Sequence, residues 1–330
     1  MASLLTTDVL DAVRALQAGG LVAVPTETVY GLAADAENVT AVRRIYSVKG
    51  RPTDHPVIVH LPHASAVDEW AADVPAWACL LIDACWPGPL TLVLARSARA
   101  GNHLTGGQDT VGLRVPAHPL LHQVLEGFGG AVAAPSANRF GRVSPTSAAH
   151  VLAELGDALD AGTDRILDGG PSRVGVESTI VDATGAQPRI LRPGQINADQ
   201  IEQITGLRPS TRPTDVRAPG TLASHYSPRA VVVVCETENA NQSLLQLTQN
   251  VDRRVAVLAL EADDVEGESA VRFLSPDVAE YARTLYDRLR RADELGMDVV
   301  LAVLPPDTGL GTAVRDRLER AATRAGADPR

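Results

Sequence analysis

A chain of 330 residues has room for two domains, each with its own core. Hydrophobic content of 45% and charged content of 21% are those of a globular protein, and aromatics at 3% leave the cores to Ala, Val, Leu and Ile. The net charge of −10 argues against a broad nucleic-acid footprint, which needs clustered cations, but leaves room for a local cationic pocket. No stretch approaches the ~18 consecutive apolar residues of a membrane span. The first eight residues lack the basic and apolar segments of a signal peptide. Cys79, Cys85 and Cys235 have no metal-ligand spacing and read as buried thiols of a reducing compartment, the cytoplasm.

Residues 7–18 suit a first helix, with Thr7 as its cap and Gly19-Gly20 as its stop. Leu21–Pro25 reads as a buried strand running into Thr26-Glu27-Thr28-Val29-Tyr30-Gly31. A second helix fits 39–48, where Val42, Ile45, Tyr46 and Lys49 recur at helical spacing. Pro56–Leu61 is a strand, 63–85 holds one or two helices, and the rigid turn Trp86-Pro87-Gly88-Pro89 feeds a strand over Leu90–Ala95. Further strands fit Val111–Val115, Ala131–Ala134, Ser178–Asp182 and Arg189–Leu191, with helices over 118–126, 146–155 and 197–205. Without a strict β-α-β rhythm, residues 1–207 are expected to form an α/β domain on a mixed sheet.

Residues 208–229, with Pro209, Pro213, Pro219, Gly220 and Pro228, read as a linker. Its His225-Tyr226 pair is more than a plain spacer needs. From 230 to 330, strands at Val231–Cys235, Val255–Leu260 and Val299–Leu304 alternate with a helical stretch and helices at 277–292 and 312–325. That is a small doubly wound parallel-sheet domain. Gly309-Leu310-Gly311 opens its last helix, without a dinucleotide fingerprint.

Of the 30 basic residues only Lys49 is a lysine, and it sits in Lys49-Gly50-Arg51-Pro52. A compact ammonium two residues from a planar guanidinium suits phosphate oxygens, although the pair would equally complement a helix C-terminus. Other polar groups gather at strand ends, where α/β folds hold ligands: Thr26, Thr28 and Tyr30; His60; Thr110 and Arg114 on one strand face; Ser136, Asn138 and Ser144; Glu177 and Ser178; and Arg192. Each alone has an ordinary reading as a turn former, a structural histidine or an ion-pair partner. Together, Lys49, Arg51, Arg114 and Arg192 would be four cations around one cleft, which suits a multiply charged anion such as a nucleoside triphosphate. No nucleophile elbow, Cys–His pair or Walker lysine is present, so the pattern favours nucleotidyl or phosphoryl transfer over covalent catalysis.

Pro25–Leu32, Lys49–Pro52, Trp86–Thr91, Pro135–Asn138, Gly175–Thr179 and Leu191–Gly194 resemble, in order, the motifs of the YrdC-type threonylcarbamoyl-AMP synthases. His225–Pro228 and Gly309–Gly311 resemble the longer, two-domain form. The resemblance implies a YrdC-like twisted mixed sheet with a large concave cavity, plus a small Rossmann-like domain. It implies conversion of L-threonine, bicarbonate and ATP to threonylcarbamoyl-adenylate and pyrophosphate, with Mg2+ accompanying ATP. The product would pass to a separate threonylcarbamoyl transferase complex that modifies tRNA beside the anticodon, so tRNA is only an indirect partner. By motif, Lys49, Arg51, His55, Thr110, Ser136, Asn138, Ser144 and Arg192 would hold ATP, and the linker would close over the cavity through His225 or Tyr226. Thr28, His60, Arg114, Ser178 and the backbone of Ala134 would hold threonine. The family usually has asparagine where this chain has His55, whose charge would titrate near neutrality.

On this reading Lys49, Arg51 and Arg192 screen two repelling anions, and Arg114 clamps the threonine carboxylate at two points. An RNA-binding module for tRNA or ribosome maturation is the alternative, disfavoured by the acidic balance and scarce aromatics.

Overall fold

The computed structural model describes residues 3–210, 214–220, 225–266 and 270–323. The chain divides into two compact units, Met1–Phe140 with Ser144–Arg173 and Glu177–Thr221, and Gly141–Val143 with Val174–Val176 and Leu222–Arg330. The break therefore falls inside the proline-rich stretch expected to be a linker.

The first unit is built on a mixed sheet in the order Leu5–Thr6, Arg165–Leu167, Val22–Val24, Gly31–Asp35, Val132–Ala133, Ile58–His60, Thr110–Arg114, Leu90–Arg96, Thr179–Asp182 and Arg189–Arg192. Ala71–Asp73 pairs with Leu90–Arg96 off this path. Side chains alternate between two cores, as the two-residue period of a strand requires. Leu21 and Ala23 join one cluster, while Val22 and Val24 join another beneath the helices Val9–Gln17 and Pro119–Phe128. The larger cluster takes the buried sides of Val39–Lys49, Ala76–Cys85 and Ala148–Leu155.

Farther along the sheet the second face is covered differently. Val59, Leu92, Leu113 and Val181 still point into the larger core. Their neighbours Ile58, Val93 and Ile180 point the other way and meet Ala218, with Leu191 and Val216 beside them. An extended stretch around 216–219 therefore lies where the other end of the sheet carries helices. Here the sheet face bears Thr91 and Thr110 together with Ile58 and Ile180.

The second unit holds a four-stranded, all-parallel sheet in the order Val231–Cys235, Val299–Val303, Val255–Leu260, Val271–Ser275. Its helices are Ala240–Thr248, Val278–Glu294 and Leu310–Ala322. Both expectations of fold class hold: a large mixed sheet and a separate small parallel one. Among the described residues no helix is long and apolar enough to cross a membrane.

Several local expectations need correcting. Asp8, not Thr7, caps the first helix, accepting from the Leu10 N–H at 2.9 Å. Cys79 is exposed and Cys235 half-buried, so only Cys85 is a buried thiol. Gly31–Asp35, Arg165–Leu167 and Val271–Ser275 are strands that the sequence pattern did not announce. Residues 211–213, 221–224 and 324–325, expected as linker and helix end, lie outside the described residues.

The buried Tyr281 hydroxyl faces the Leu258 and Val303 carbonyls, at 3.2 and 3.0 Å, on neighbouring strands. Tyr281→Phe leaves both carbonyls without this donor and is expected to cost about 1–3 kcal/mol. A lowered urea midpoint with an unchanged slope checks this; an unmoved midpoint contradicts it.

Candidate active site

The part of the sheet covered by the stretch around 216–219 collects the polar residues. His60 and Arg114 end adjacent parallel strands and stand directly opposite each other. Arg192 ends the outer strand opposite Ile180, so it lies on the Ile180 face. Lys49 is the last residue of its helix, which stops because Gly50 turns left-handed at φ 61°. All four are buried, as is Arg51.

Burying cations demands partners, and main-chain carbonyls supply many of them. The Lys49 ammonium donates to the Ser136 carbonyl at 2.6 Å and to that of Asn138. Arg51 donates to the Pro56 carbonyl at 2.8 Å and lies 5.6 Å from the Phe140 ring. Arg192 donates to the Ser178 carbonyl and hydroxyl, each at 3.1 Å, and to the Pro219 carbonyl at 3.0 Å. Arg114 bonds the Gly88 carbonyl at 3.1 Å, the Thr28 hydroxyl at 3.0 Å and the Glu27 carboxylate at 2.6 Å. Those bonds use three of its five N–H groups and leave one on each terminal nitrogen.

The loops that carry these residues are tied to one another. Tyr30 donates its N–H to Pro145 and accepts at its carbonyl from Ala137. Gly31 bridges Ser136, Thr179 donates to Pro89, and Gly88 donates to Val115. The Thr91 and Ser178 hydroxyls are 2.8 Å apart. One connected set of turns thus brings together Thr28, His60, Arg114, Ser178 and Arg192, with Lys49 fixed to the 136–138 turn.

The environment shifts several protonation equilibria. Burial, then the Arg51 charge, holds the Lys49 ammonium well below its ordinary range, with Glu154 offsetting part of this. Burial, then Arg114, pushes His60 down to about 3, so its ring is neutral, and its Nδ1 has no hydrogen-bond partner among the described residues. For Glu27, burial pushes the carboxyl up, but the Arg114 charge and hydrogen bonds from Arg114 and the Ala117 N–H together hold it below the usual range. His55 is lowered by burial and Arg51, and its ring meets Phe140 edge-on at 5.3 Å.

The remaining expected residues fall as follows. The Ala134 N–H donates to the Ile58 carbonyl at 3.0 Å, leaving its carbonyl as the group it can offer. Ser144 commits its proton to the Glu177 carboxylate at 2.6 Å. Thr110 lines a narrow slot with Thr91, Ile180, Arg217 and Ala218. In that slot Gln108 brackets Arg217, accepting from its N–H at 2.7 Å and donating to its carbonyl at 3.1 Å. His225 and Tyr226 belong to the second unit, where Tyr226 stacks on Tyr286 at 5.7 Å and lies under Arg317 at 5.3 Å. Sequence reasoning left Glu27, Thr91 and Gln108 without roles. Glu27 lies inside the Pro25–Leu32 motif and Thr91 inside the Trp86–Thr91 motif, and that membership was their available signal; Gln108 gave none.

A family model described as "Telomere recombination" matches residues 14–194, and one described as "Threonylcarbamoyl-AMP synthase, C-terminal domain" matches 196–323. The threonylcarbamoyl-AMP synthase of Pyrococcus abyssi is 39% identical over 93% of this chain and 91% of its own length. The chain belongs to the threonylcarbamoyl-AMP synthase family. The family's Bacillus subtilis member is also 39% identical, over 95% of this chain and 92% of its own. The crystal structure of P. abyssi Sua5 complexed with L-threonine superposes with a TM-score of 0.87 at 37% identity, covering 95% of this chain and 94% of that one.

The depressed His60 gives a test of the synthase fold. A histidine whose folded value lies near 3 and whose unfolded value is about 6.5 contributes stability above pH 6.5 that is lost as pH falls toward 3. Glu27 adds its own loss only below its unfolded value, about 4.5. His55 and His118 are lowered as well and share the upper window. His60→Gln is therefore expected to lose less stability than the parent between pH 7.5 and 5, read from urea midpoints; equal losses contradict it.

Proposed function

We infer that the chain synthesises L-threonylcarbamoyl-AMP and pyrophosphate from L-threonine, bicarbonate and ATP, in the cytoplasm, for threonylcarbamoyladenosine formation in tRNA. The observation that carries the reading is the buried set of four cations, Lys49, Arg51, Arg114 and Arg192, in one unit whose turns are mutually hydrogen-bonded. The names of the relatives support the activity. The binding of L-threonine by the P. abyssi protein in its crystal supports the amino acid as substrate.

The reaction sets two anions against each other. The amine of threonine and bicarbonate give a carbamate with loss of water. A carbamate oxygen then bonds the α-phosphorus as the α–β bridging P–O bond breaks, and pyrophosphate leaves with the electron pair. Lys49, Arg51 and Arg192 screen the approach, and a phosphate beside Lys49 restores the charge that burial disfavours. The two N–H groups that Arg114 keeps suit the threonine carboxylate. Arg192 and the Gln108 bracket hold residues 217–219 on the sheet face, where a strap would keep water from the labile adenylate.

Among the described residues no group of three or more His, Cys, Asp or Glu side chains is placed to hold a metal ion. A Mg2+ ion would accompany ATP and supply further neutralisation of the phosphate charge. The adenylate would pass to a separate threonylcarbamoyl transferase.

Lys49→Ala and Arg51→Ala are each expected to lower threonine-dependent pyrophosphate release at least ~100-fold. Incubation with ATP, labelled bicarbonate and single amino acids, followed by product mass analysis, checks the reaction. Failure to form threonylcarbamoyl-AMP, or full turnover by either variant, contradicts the assignment.

A further inference from the structure

Two short segments from the first half of the chain, Gly141–Val143 and Val174–Val176, fold with the second unit. One helix of that unit, Val278–Glu294, holds both. Arg290 donates to the Val143 carbonyl, and the Asp293 carboxylate lies 3.8 Å from the Arg142 guanidinium. Tyr286 stacks on Tyr226, and the next residue, Ser227, donates its N–H to the Gly141 carbonyl at 3.0 Å. Gly175 is set against the backbone of Ala282 and Arg283, where a Cβ would stand 2.4 Å from the Ala282 carbonyl oxygen. Residues 282, 286, 290 and 293 recur at four, four and three, so these contacts come from one stripe of the helix.

Each held segment ends one residue short of the candidate site. Val143 is followed by Ser144 and Val176 by Glu177, the buried pair joined by the 2.6 Å hydrogen bond. The two members are held differently. Gly175 is locked backbone to backbone at φ 83°, which makes Glu177 the fixed partner. On the Ser144 side the carbonyl of Val143 is held by a side chain, that of Arg290. Upstream the same loop is fixed by Lys49, whose carbonyl accepts from the Phe140 N–H at 2.8 Å, and downstream the Pro145 carbonyl accepts from Tyr30 at 2.8 Å.

We propose that Arg290 is a positioning residue for the nucleotide: by holding the Val143 carbonyl it sets where Ser144 meets Glu177, and with it the ATP-binding side of the 136–145 loop. This rests on the assignment of ATP to that loop. A guanidinium suits the task because its charge strengthens a bond to a neutral carbonyl and its planar fork holds direction. The residues assigned to threonine have anchors of their own: Thr28 at Thr26, Arg114 at Glu27 and Ser178 at Arg192. Releasing the Val143 carbonyl therefore acts on the nucleotide and leaves the amino acid alone.

Calorimetric titration of the full-length protein with Mg2+-ATP alone and with L-threonine alone tests this without turnover. Arg290→Met, which keeps the apolar stem and removes the donors, is expected to weaken ATP binding about tenfold, the size of one charge-assisted hydrogen bond, and to leave L-threonine within about twofold. Arg290→Lys, which keeps a charged donor, is expected to restore most of the ATP affinity. Arg290→Gln, a milder change, is expected to show a smaller loss with the same selectivity, which covers the case of a misfolded Arg290→Met. Equal weakening of both ligands across these variants, or unchanged ATP affinity, overturns the proposal. Absence of ATP binding to the unaltered protein overturns the functional reading and this inference with it, whereas ATP binding with a non-selective loss overturns this inference alone.

Discussion

Holding positive charge out of water is the constraint around which the first unit is arranged. An ammonium or guanidinium moved into a dry interior loses hydration worth several kcal/mol per ion, and neutral carbonyls return only part of it. Lys49 on the Ser136 and Asn138 carbonyls, Arg51 on Pro56 and Arg192 on Ser178 and Pro219 are seated in this way. Such a seat orients a cation through the dipoles of neutral groups. A polyanion entering the site therefore gains what the fold gave up, in a region where the effective dielectric is low.

Arg114 is treated differently. It faces a carboxylate, Glu27, whose ionisation it favours against the effect of burial. The pair is close to neutral, and its function is directional: the fork is pinned at three nitrogens, with two N–H groups aimed elsewhere. That division of labour fits the two substrates. A triphosphate needs charge in quantity, whereas a small zwitterion needs few contacts with fixed donor and acceptor sense. His60, neutral and buried beside Arg114, adds a polar ring without adding charge.

The fold was legible in the sequence wherever apolar residues announced themselves by period. Leu90–Ala95 and Val231–Cys235 were readable as strands, and 39–48 as a helix, because branched and large side chains repeat at the right spacing. Gly31–Asp35 was not: Gly-Leu-Ala-Ala-Asp has low strand propensity, and it extends only because it is wedged between Val22–Val24 and Val132–Ala133. Arg165–Leu167 is likewise a three-residue strand set by its neighbours Leu5–Thr6 and Val22–Val24. Sequence order alone carries no trace of such pairing. The exposed Cys79 sits on a largely apolar helix whose partly solvated side is invisible to composition.

At the site, the charged residues were legible because a lone lysine, and arginines beside strand ends, are conspicuous in an acidic chain. The groups that give those charges direction were not, because they act through backbone or as members of a chain of hydroxyls. Thr26 illustrates this. Motif resemblance singles out its neighbour Thr28, while residue type and spacing give Thr26 no role of its own. Only the 2.6 Å approach of the Thr26 oxygen to the Val29 carbonyl shows where the Thr26 proton lies. The same is true of Lys49, whose partners at 136 and 138 are carbonyls shared by every residue type. Charge can be read from residue identity, but the sense of a hydrogen bond is a property of three-dimensional neighbours. In this site the second decides what the first can recognise.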